Sequence, residues 1–289
     1  MNKPFAIRVK FDLLKVGHCQ HPECMALRSG GRRAIDFPAL VGLIEHPQRG
    51  LMLYDTGYSR HFHEATKRFP ECLYRMITPV TLPPPEEELL AQLESRGIRA
   101  SDIETIIISH FHADHVAGLR DFPKASFIAT RSEHTLCKQK NRLGRLRRAY
   151  MRELLPQDME KRLQYAEMMP LIPLPDAWKP FEAMHDLLHD GSLLGVDLPG
   201  HTASQLGLAF YADKPIFLIG DSCWKIEGLI RGKKPSPLAY LVFDDGEAYD
   251  ATFAKLRALY LSPHAPLVIP SHCTTTWRQY GGSRRIQRG

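Results

Sequence analysis

With 289 residues, 44% of them apolar, the chain is long enough to bury a sizeable core, and no apolar run approaches the length that spans a bilayer. A net charge of +6 admits acidic partners, while six cysteines without regular spacing read as cytosolic thiols and not as a disulfide framework. The opening Met1 to Lys10 stretch lacks the uninterrupted apolar region of a signal peptide, so a cytoplasmic protein is expected.

In chain order, Phe5 to Leu14 alternates loosely and predicts a first strand. His18-Cys19-Gln20-His21-Pro22-Glu23-Cys24 follows, rich in potential ligands but without the second ligand pair of a structural zinc site. Pro22 makes it a turn, placed where it could lie over a functional site. Ala39 to Glu45 and Gly50 to Asp55 predict a hairpin, and Tyr58 to Leu82 is irregular. After Pro83-Pro84-Pro85, a helix is expected over Glu86 to Arg96, closed by Gly97. Glu104 to Ser109 and Ala125 to Ala129 are strands.

Residues 131–169 predict a helical insertion. Its first part is a basic amphipathic helix: Lys138, Lys140, Arg142, Arg145, Arg147, Arg148 and Arg152 carry no acid among them. Leu143, Leu146, Tyr150 and Leu154 form its apolar stripe, a surface that could serve a homodimer. A solvated face is the plainest reading of such a charge run. Asp158 to Met169 is expected to be a second helix. Further on, Asp186 to Leu198 carries a hairpin turn at Asp190-Gly191, Leu206 to Tyr211 and Pro215 to Ile219 pair as strands, and Gly246 to Leu261 is an amphipathic helix before the strand Leu267 to Ile269. The basic, Gly-rich tail, about 281–289, is expected to be disordered. The whole reads as one α/β domain over 1–289.

The chemistry concentrates in His110-Phe111-His112-Ala113-Asp114-His115, directly after Ile106-Ile107-Ile108. Three imidazoles and a carboxylate at a strand end suit zinc, iron and similar divalent ions. A histidine-rich surface loop is the plain alternative, and three later residues argue against it. His201 in Pro199-Gly200-His201, Asp221 in Gly220-Asp221-Ser222 and His272 in Pro270-Ser271-His272 each follow a predicted strand. This repeated order of strand, turn residue and ligand gathers side chains at one rim of a sheet system.

In this pattern, H-x-H-x-D-H followed by Gly-His, Gly-Asp and a late His, the chain resembles the metallo-β-lactamase superfamily. Leu53-Tyr54-Asp55-Thr56-Gly57 matches that family's early Asp-Thr-Gly turn. The resemblance implies an α/β, four-layer αββα sandwich with a dinuclear site at one edge. It implies that His110, His112 and His201 hold one metal, that Asp114, His115 and His272 hold the second, and that Asp221 bridges them. Zinc is the default for such donors, with iron, manganese or cobalt fitting the same set. Seven ligands for two ions leave open positions, the mark of a catalytic site. Asp55 is then expected to hold the ligand loop through hydrogen bonds, a simple turn-former being the other reading.

Within the superfamily the chain is most similar to the N-acyl-homoserine lactonases. The implied activity is hydrolysis of a carboxylic ester, lactone or thioester by a metal-bridging hydroxide, with Asp114 and Asp221 in the catalytic apparatus and a small-molecule acyl substrate. Trp224 stands where those lactonases have a tyrosine, and is expected to face the substrate; Tyr54 and Tyr58 are candidates for the missing hydroxyl. Ser222 and Cys223 are not needed as nucleophiles. Two other readings remain at this level. The basic helix would suit a phosphodiesterase or nuclease, although the extra domain that RNA-processing members use is not evident, so nucleic acid is not expected. A metal-binding pseudoenzyme with a regulatory role is the third.

Overall fold

Successive side chains of a strand point to opposite faces, and in this chain both faces are apolar. Leu51 and Leu53 pack in one buried cluster while their neighbours Met52 and Tyr54 pack in another. Ile106 and Ile107 divide in the same way, as do Phe217 and Leu218. Strands of this kind must be covered on both sides. The structure, a computed structural model, describes residues 3–139 and 141–288.

Its strands are β1 Lys10–Pro22, β2 Ala34–His46, β3 Gly50–Tyr54, β4 Val80–Thr81, β5 Ile103–Ile107, β6 Ser126–Ala129, β7 Leu163–Tyr165, β8 Leu171–Pro173, β9 Ala183–Asp186, β10 Leu193–Asp197, β11 Leu206–Tyr211, β12 Pro215–Leu218 and β13 Leu267–Ile269. They form two sheets, ordered β4-β1-β2-β3-β5-β6-β7 and β13-β12-β11-β10-β9-β8. Phe11, Ile44 and Ile107 of the first sheet meet Leu208, Phe210 and Ile216 of the second in a central core. Outside the first sheet, Leu53 and Ile106 pack with Phe62, Leu93 and Val116 from helical segments. Outside the second, Phe217 and Val268 pack with Leu229 and with Phe253 and Leu256 of the helix Gly246–Tyr260. The layers are therefore helix, sheet, sheet, helix, the αββα sandwich. Among the described residues, no helix is long and apolar enough to cross a membrane.

Parallel pairing sets the polarity of the functional edge. β5 runs parallel to β3 and β6, and β12 runs parallel to β13, so the segments after β3, β5, β12 and β13 emerge at common ends. Ser109 O accepts from Leu206 N at 2.8 Å, and Ser271 O from Leu40 N at 3.0 Å, tying these ends across the two sheets.

Several expectations are corrected. The first strand begins at Lys10 and runs to Pro22, so His18 to Pro22 pairs with Ala34 to Pro38 instead of forming a turn. Residues 58–82 contain the short helices Arg60–Ala65 and Cys72–Ile77. The basic helix is interrupted: one helix is Arg131–Gln139, Lys140 lies outside the described residues, and a second is Arg142–Arg147. Asn141 accounts for the restart, because its side chain accepts from Gly144 N at 2.7 Å and so favours a cap over a helix interior. Leu143, placed by the periodicity in an apolar stripe, is exposed. In the segment 158–169 only Met159–Arg162 is α-helical; Leu163–Tyr165 is β7, recruited in parallel by the edge of β6. Nor is the tail free. Buried Asp12 accepts from Ser283 Oγ, Arg285 N and Ile286 N, and Ile286 is fully buried.

Candidate metal centre

Local sequence explains how six residues can present four donors. Phe111 lies in the core of the helical layer, so His110 and His112 flank it on the other side. In the turn Ala113–Val116, Ala113 and Val116 are buried in the same core, leaving Asp114 and His115 to the cluster. His201 follows Gly200, whose φ of +128° is open to glycine; a Cβ there would lie 2.1 Å from Tyr249 N. That close approach lets Asp245 N and Asp244 N bond the carbonyls of Gly200 and His201 at 3.1 and 3.2 Å. Asp221 is set by Gln205, whose Oε1 accepts from Asp221 N at 2.8 Å and whose Nε2 donates to Ile219 O and Ser222 Oγ.

All seven residues singled out in the sequence meet. The donor atoms of His110, His112 and His201 lie within 4.8 Å of one another, as do those of His110, His115 and Asp221, and those of Asp114, His115 and His272. His201 Nε2 is 3.1 Å from His112 Nδ1 and 3.2 Å from Asp221 Oδ2. His272 Nε2 is 3.1 Å from Asp221 Oδ1 and 3.3 Å from Asp114 Oδ2. Asp221 thus lies between the two histidine groups. By contrast, no set of donors able to hold a metal includes His18, Cys19, His21 or Cys24 among the described residues.

Buried partners fix which nitrogen of the His115 and His272 rings faces inward. Asp55, with φ 62°, is fully buried. Its carboxylate accepts from Ser109 N at 2.7 Å, Ser109 Oγ at 2.8 Å and His115 Nδ1 at 2.7 Å. It therefore holds the ligand segment as well as the turn. His272 Nδ1 donates to Pro38 O at 2.8 Å, which directs Nε2 to the cluster. His110 Nε2, His115 Nε2 and Asp221 Oδ1 are buried and lack a hydrogen-bond partner. Buried polar atoms left this way are costly. Nitrogen and carboxylate oxygen in this number are the donor set of a divalent transition ion, so the residues fit a metal.

The electrostatics agree with that chemistry. Burial holds His112 down to about 4 and His201 to about 3, and with His115 and His112 beside it, burial also depresses His110 well below the usual imidazole range. All three stay neutral with lone pairs available. For His115 and His272 burial also opposes charge, but the carboxylates outweigh it (Asp55, Asp114 and Asp221 for His115; Asp221 and Asp114 for His272) and raise both. Divalent cations compete with those protons for the same nitrogens.

The cluster forms the floor of a cavity of about 540 Å³, lined elsewhere by Phe37, Tyr58, Leu73, Tyr74, Leu146 and Trp224 among others. Trp224 lines the cavity, and its Nε1 donates to Asp221 Oδ2 at 2.9 Å. Its ring forms cavity wall, edge-on to Phe37, His201 and Phe243. Of the two tyrosines, Tyr54 donates to Leu206 O at 2.8 Å and is spent. Tyr58 lines the cavity, its buried hydroxyl beside the side chains of Cys19 and Tyr74. Cys223 donates its thiol to Lys225 O, and Ser222 is held by Gln205. Cys19 and His21 of β1 reach the cavity wall.

Sequence reasoning missed three supporting residues. Ser109 contacts Asp55, His110 and His115 at once; its only signal was its place between strand and ligand run. Gln205 was legible only as a polar residue opening an apolar strand. Glu133, buried on the helix Arg131–Gln139, accepts from Tyr150 OH at 2.9 Å and Ser204 N at 3.3 Å. Tyr150 in turn bridges His112 through the backbone, so Glu133 ties the insertion to two ligand loops.

Residues 34–220 match the metallo-beta-lactamase superfamily, and the chain belongs to it. Among its relatives is a probable metallo-hydrolase of Mycobacterium tuberculosis, 28% identical over 172 residues, which are 58% of this chain and 51% of the relative. The chain thus spans about half the length of that mycobacterial relative. The N-acyl homoserine lactonase AiiB of Agrobacterium fabrum is 25% identical over 227 residues, 78% of this chain and 76% of AiiB. In fold the chain is similar to B. thuringiensis AiiA with N-decanoyl-L-homoserine at its active site, at a TM-score of 0.69, with 16% identity and coverage of 96% and 97%. It is also similar to AidC, a dizinc quorum-quenching lactonase, at a TM-score of 0.63, with 17% identity and coverage of 94% and 90%.

Proposed function

We propose that this chain is a dinuclear metal-dependent hydrolase of small acyl esters, with lactones as the leading class and open-chain esters and thioesters beside them. One observation carries the reading: seven nitrogen and oxygen donors converge, several without partners, at the floor of a cavity whose other walls are largely apolar. Likeness to AiiB supports lactones over other acyl groups. In this reading His110, His112 and His201 hold one ion, Asp114, His115 and His272 the other, and Asp221 both. When bound, divalent ions supply Lewis acidity toward a carbonyl and acidify water as the nucleophile.

The chain's own residues do the rest. Asp55 keeps the His115 ring in one orientation through Nδ1, and the Trp224 indole orients one Asp221 oxygen. The hydroxyl of Tyr58 is the polar group offered to the ester from the wall, and Phe37 and Leu73 exclude water around the acyl part. The arginines that favoured a nuclease are partly committed within the protein, Arg142 to Glu71 and Arg148 to Asp244.

The test is a panel of acyl-homoserine lactones, aryl esters and acyl-thioesters, run on zinc-loaded protein with metal content measured on the same sample. Turnover of a lactone with two ions per chain is expected. Two ions per chain without turnover of any member overturns the proposal.

A further inference from the structure

The cavity opens through an unusual rim. Leu73 and Ile77 of the helix Cys72–Ile77, Leu143 of the helix Arg142–Arg147 and Val242 of the turn Ala239–Val242 all line it. They are 37%, 76%, 63% and 51% exposed. Beside them in sequence, Met76 and Leu241 are 76% and 73% exposed. Single exposed aliphatic side chains need no account, but three segments distant in sequence that bring theirs to one mouth do. A short soluble ligand seated on the floor leaves Ile77 and Leu143 facing water.

The same rim is cationic. Segments 68–78, 141–150 and 238–244 hold six arginines and two acids. Both acids, Glu71 and Asp244, are already engaged by Arg142 and Arg148. Arg147 is exposed and lines the cavity with the aliphatic residues. Aliphatic side chains ringed by arginine match the boundary between acyl chains and phosphate headgroups. A second copy of the chain would also cover the apolar residues, but it would set one arginine-rich rim against another.

We propose that this rim docks the protein on an anionic lipid surface, with the cavity mouth turned toward it. Docking is measured without turnover, so it stands or falls separately from the hydrolase reading. The experiment sediments the whole, metal-loaded chain with vesicles of phosphatidylcholine alone or mixed with phosphatidylserine. Binding to the mixed vesicles should exceed binding to phosphatidylcholine by roughly tenfold and fall as salt is raised. Ile77→Glu combined with Leu143→Glu should weaken it by at least about tenfold without moving the thermal midpoint, since both side chains are exposed. Leu261→Glu, at the far end of the helix Gly246–Tyr260 and also exposed, should bind as the parent does. Failure of the parent to bind mixed vesicles overturns the proposal. So does unchanged binding by the double variant, equal loss in Leu261→Glu, or a dimer in sedimentation velocity that the double variant dissolves while no vesicles are bound.

Discussion

At the floor of the cavity, donors stand on strand ends with a buried partner behind them: Asp55 behind His115, Gln205 behind Asp221, the Pro38 carbonyl behind His272. At the rim, Leu73, Ile77 and Leu143 stand on helices of about two turns, and their side chains reach into solvent. The floor is preorganised, with its rings oriented before anything binds; the rim supplies area and charge but little direction. The difference teaches where each property of the site resides. On the readings proposed above, buried polar partners would set the reaction, and the exposed side chains of the rim would set what approaches.

Asp221→Ala is the harshest break of that comparison. It removes the carboxylate between the two histidine groups, so metal content should fall and hydrolysis of every substrate should drop together, by on the order of a thousandfold or more. Elemental analysis beside kinetics decides it, and full occupancy with near-normal turnover would show that the carboxylate does not bridge.

Glu133 tests how firmly the insertion is tied to the floor. Burial pushes its carboxyl from 4.5 up to about 7, against the hydrogen bonds from Tyr150 and Ser204. The folded protein therefore holds this proton more tightly than the unfolded chain. That contribution is whole below 4.5 and is lost as pH rises through 7. Glu133→Gln stays neutral throughout. Its thermal stability relative to the parent should improve from about pH 5 to about pH 8, by up to about 3 kcal/mol. A gap independent of pH would place the ionised carboxylate in a better-solvated site.

Asp55→Asn keeps the shape and tolerates the φ of 62°, but removes the charge facing His115 Nδ1. Metal affinity, measured by competition with a chelator, should weaken about 10–100-fold; unchanged affinity would return Asp55 to a simple turn-former. Mildest is Tyr58→Phe, which removes a buried hydroxyl beside Cys19 and Tyr74. Stability and metal content should hold while kcat/KM on lactones falls about tenfold, the size of one lost hydrogen bond to substrate. Unaltered kinetics would mean that the wall offers the ester only apolar surface.

The floor was largely legible in the sequence because imidazole and carboxylate at the ends of apolar strands have few other uses. Its supports were less so. Ser109 and Gln205 are ordinary residue types, and nothing local marks a serine that touches two ligands. The break at Asn141, the conversion of 163–165 to a strand and the anchoring of the tail all depend on partners far away. Asp12 binds residues 283, 285 and 286, a pairing that no window of sequence contains.

By itself the sequence determined the donor types, their order along the chain and the apolar strands that deliver them, since ligand chemistry and side-chain alternation are local properties. Only the tertiary structure decided that Tyr58 faces the cavity while Tyr54 is spent on the Leu206 carbonyl. It alone sent the Trp224 indole to Asp221 and gathered three separate aliphatic segments at one mouth. The physical reason is that alternation says two neighbours point apart, whereas the packing of two sheets says what each then meets.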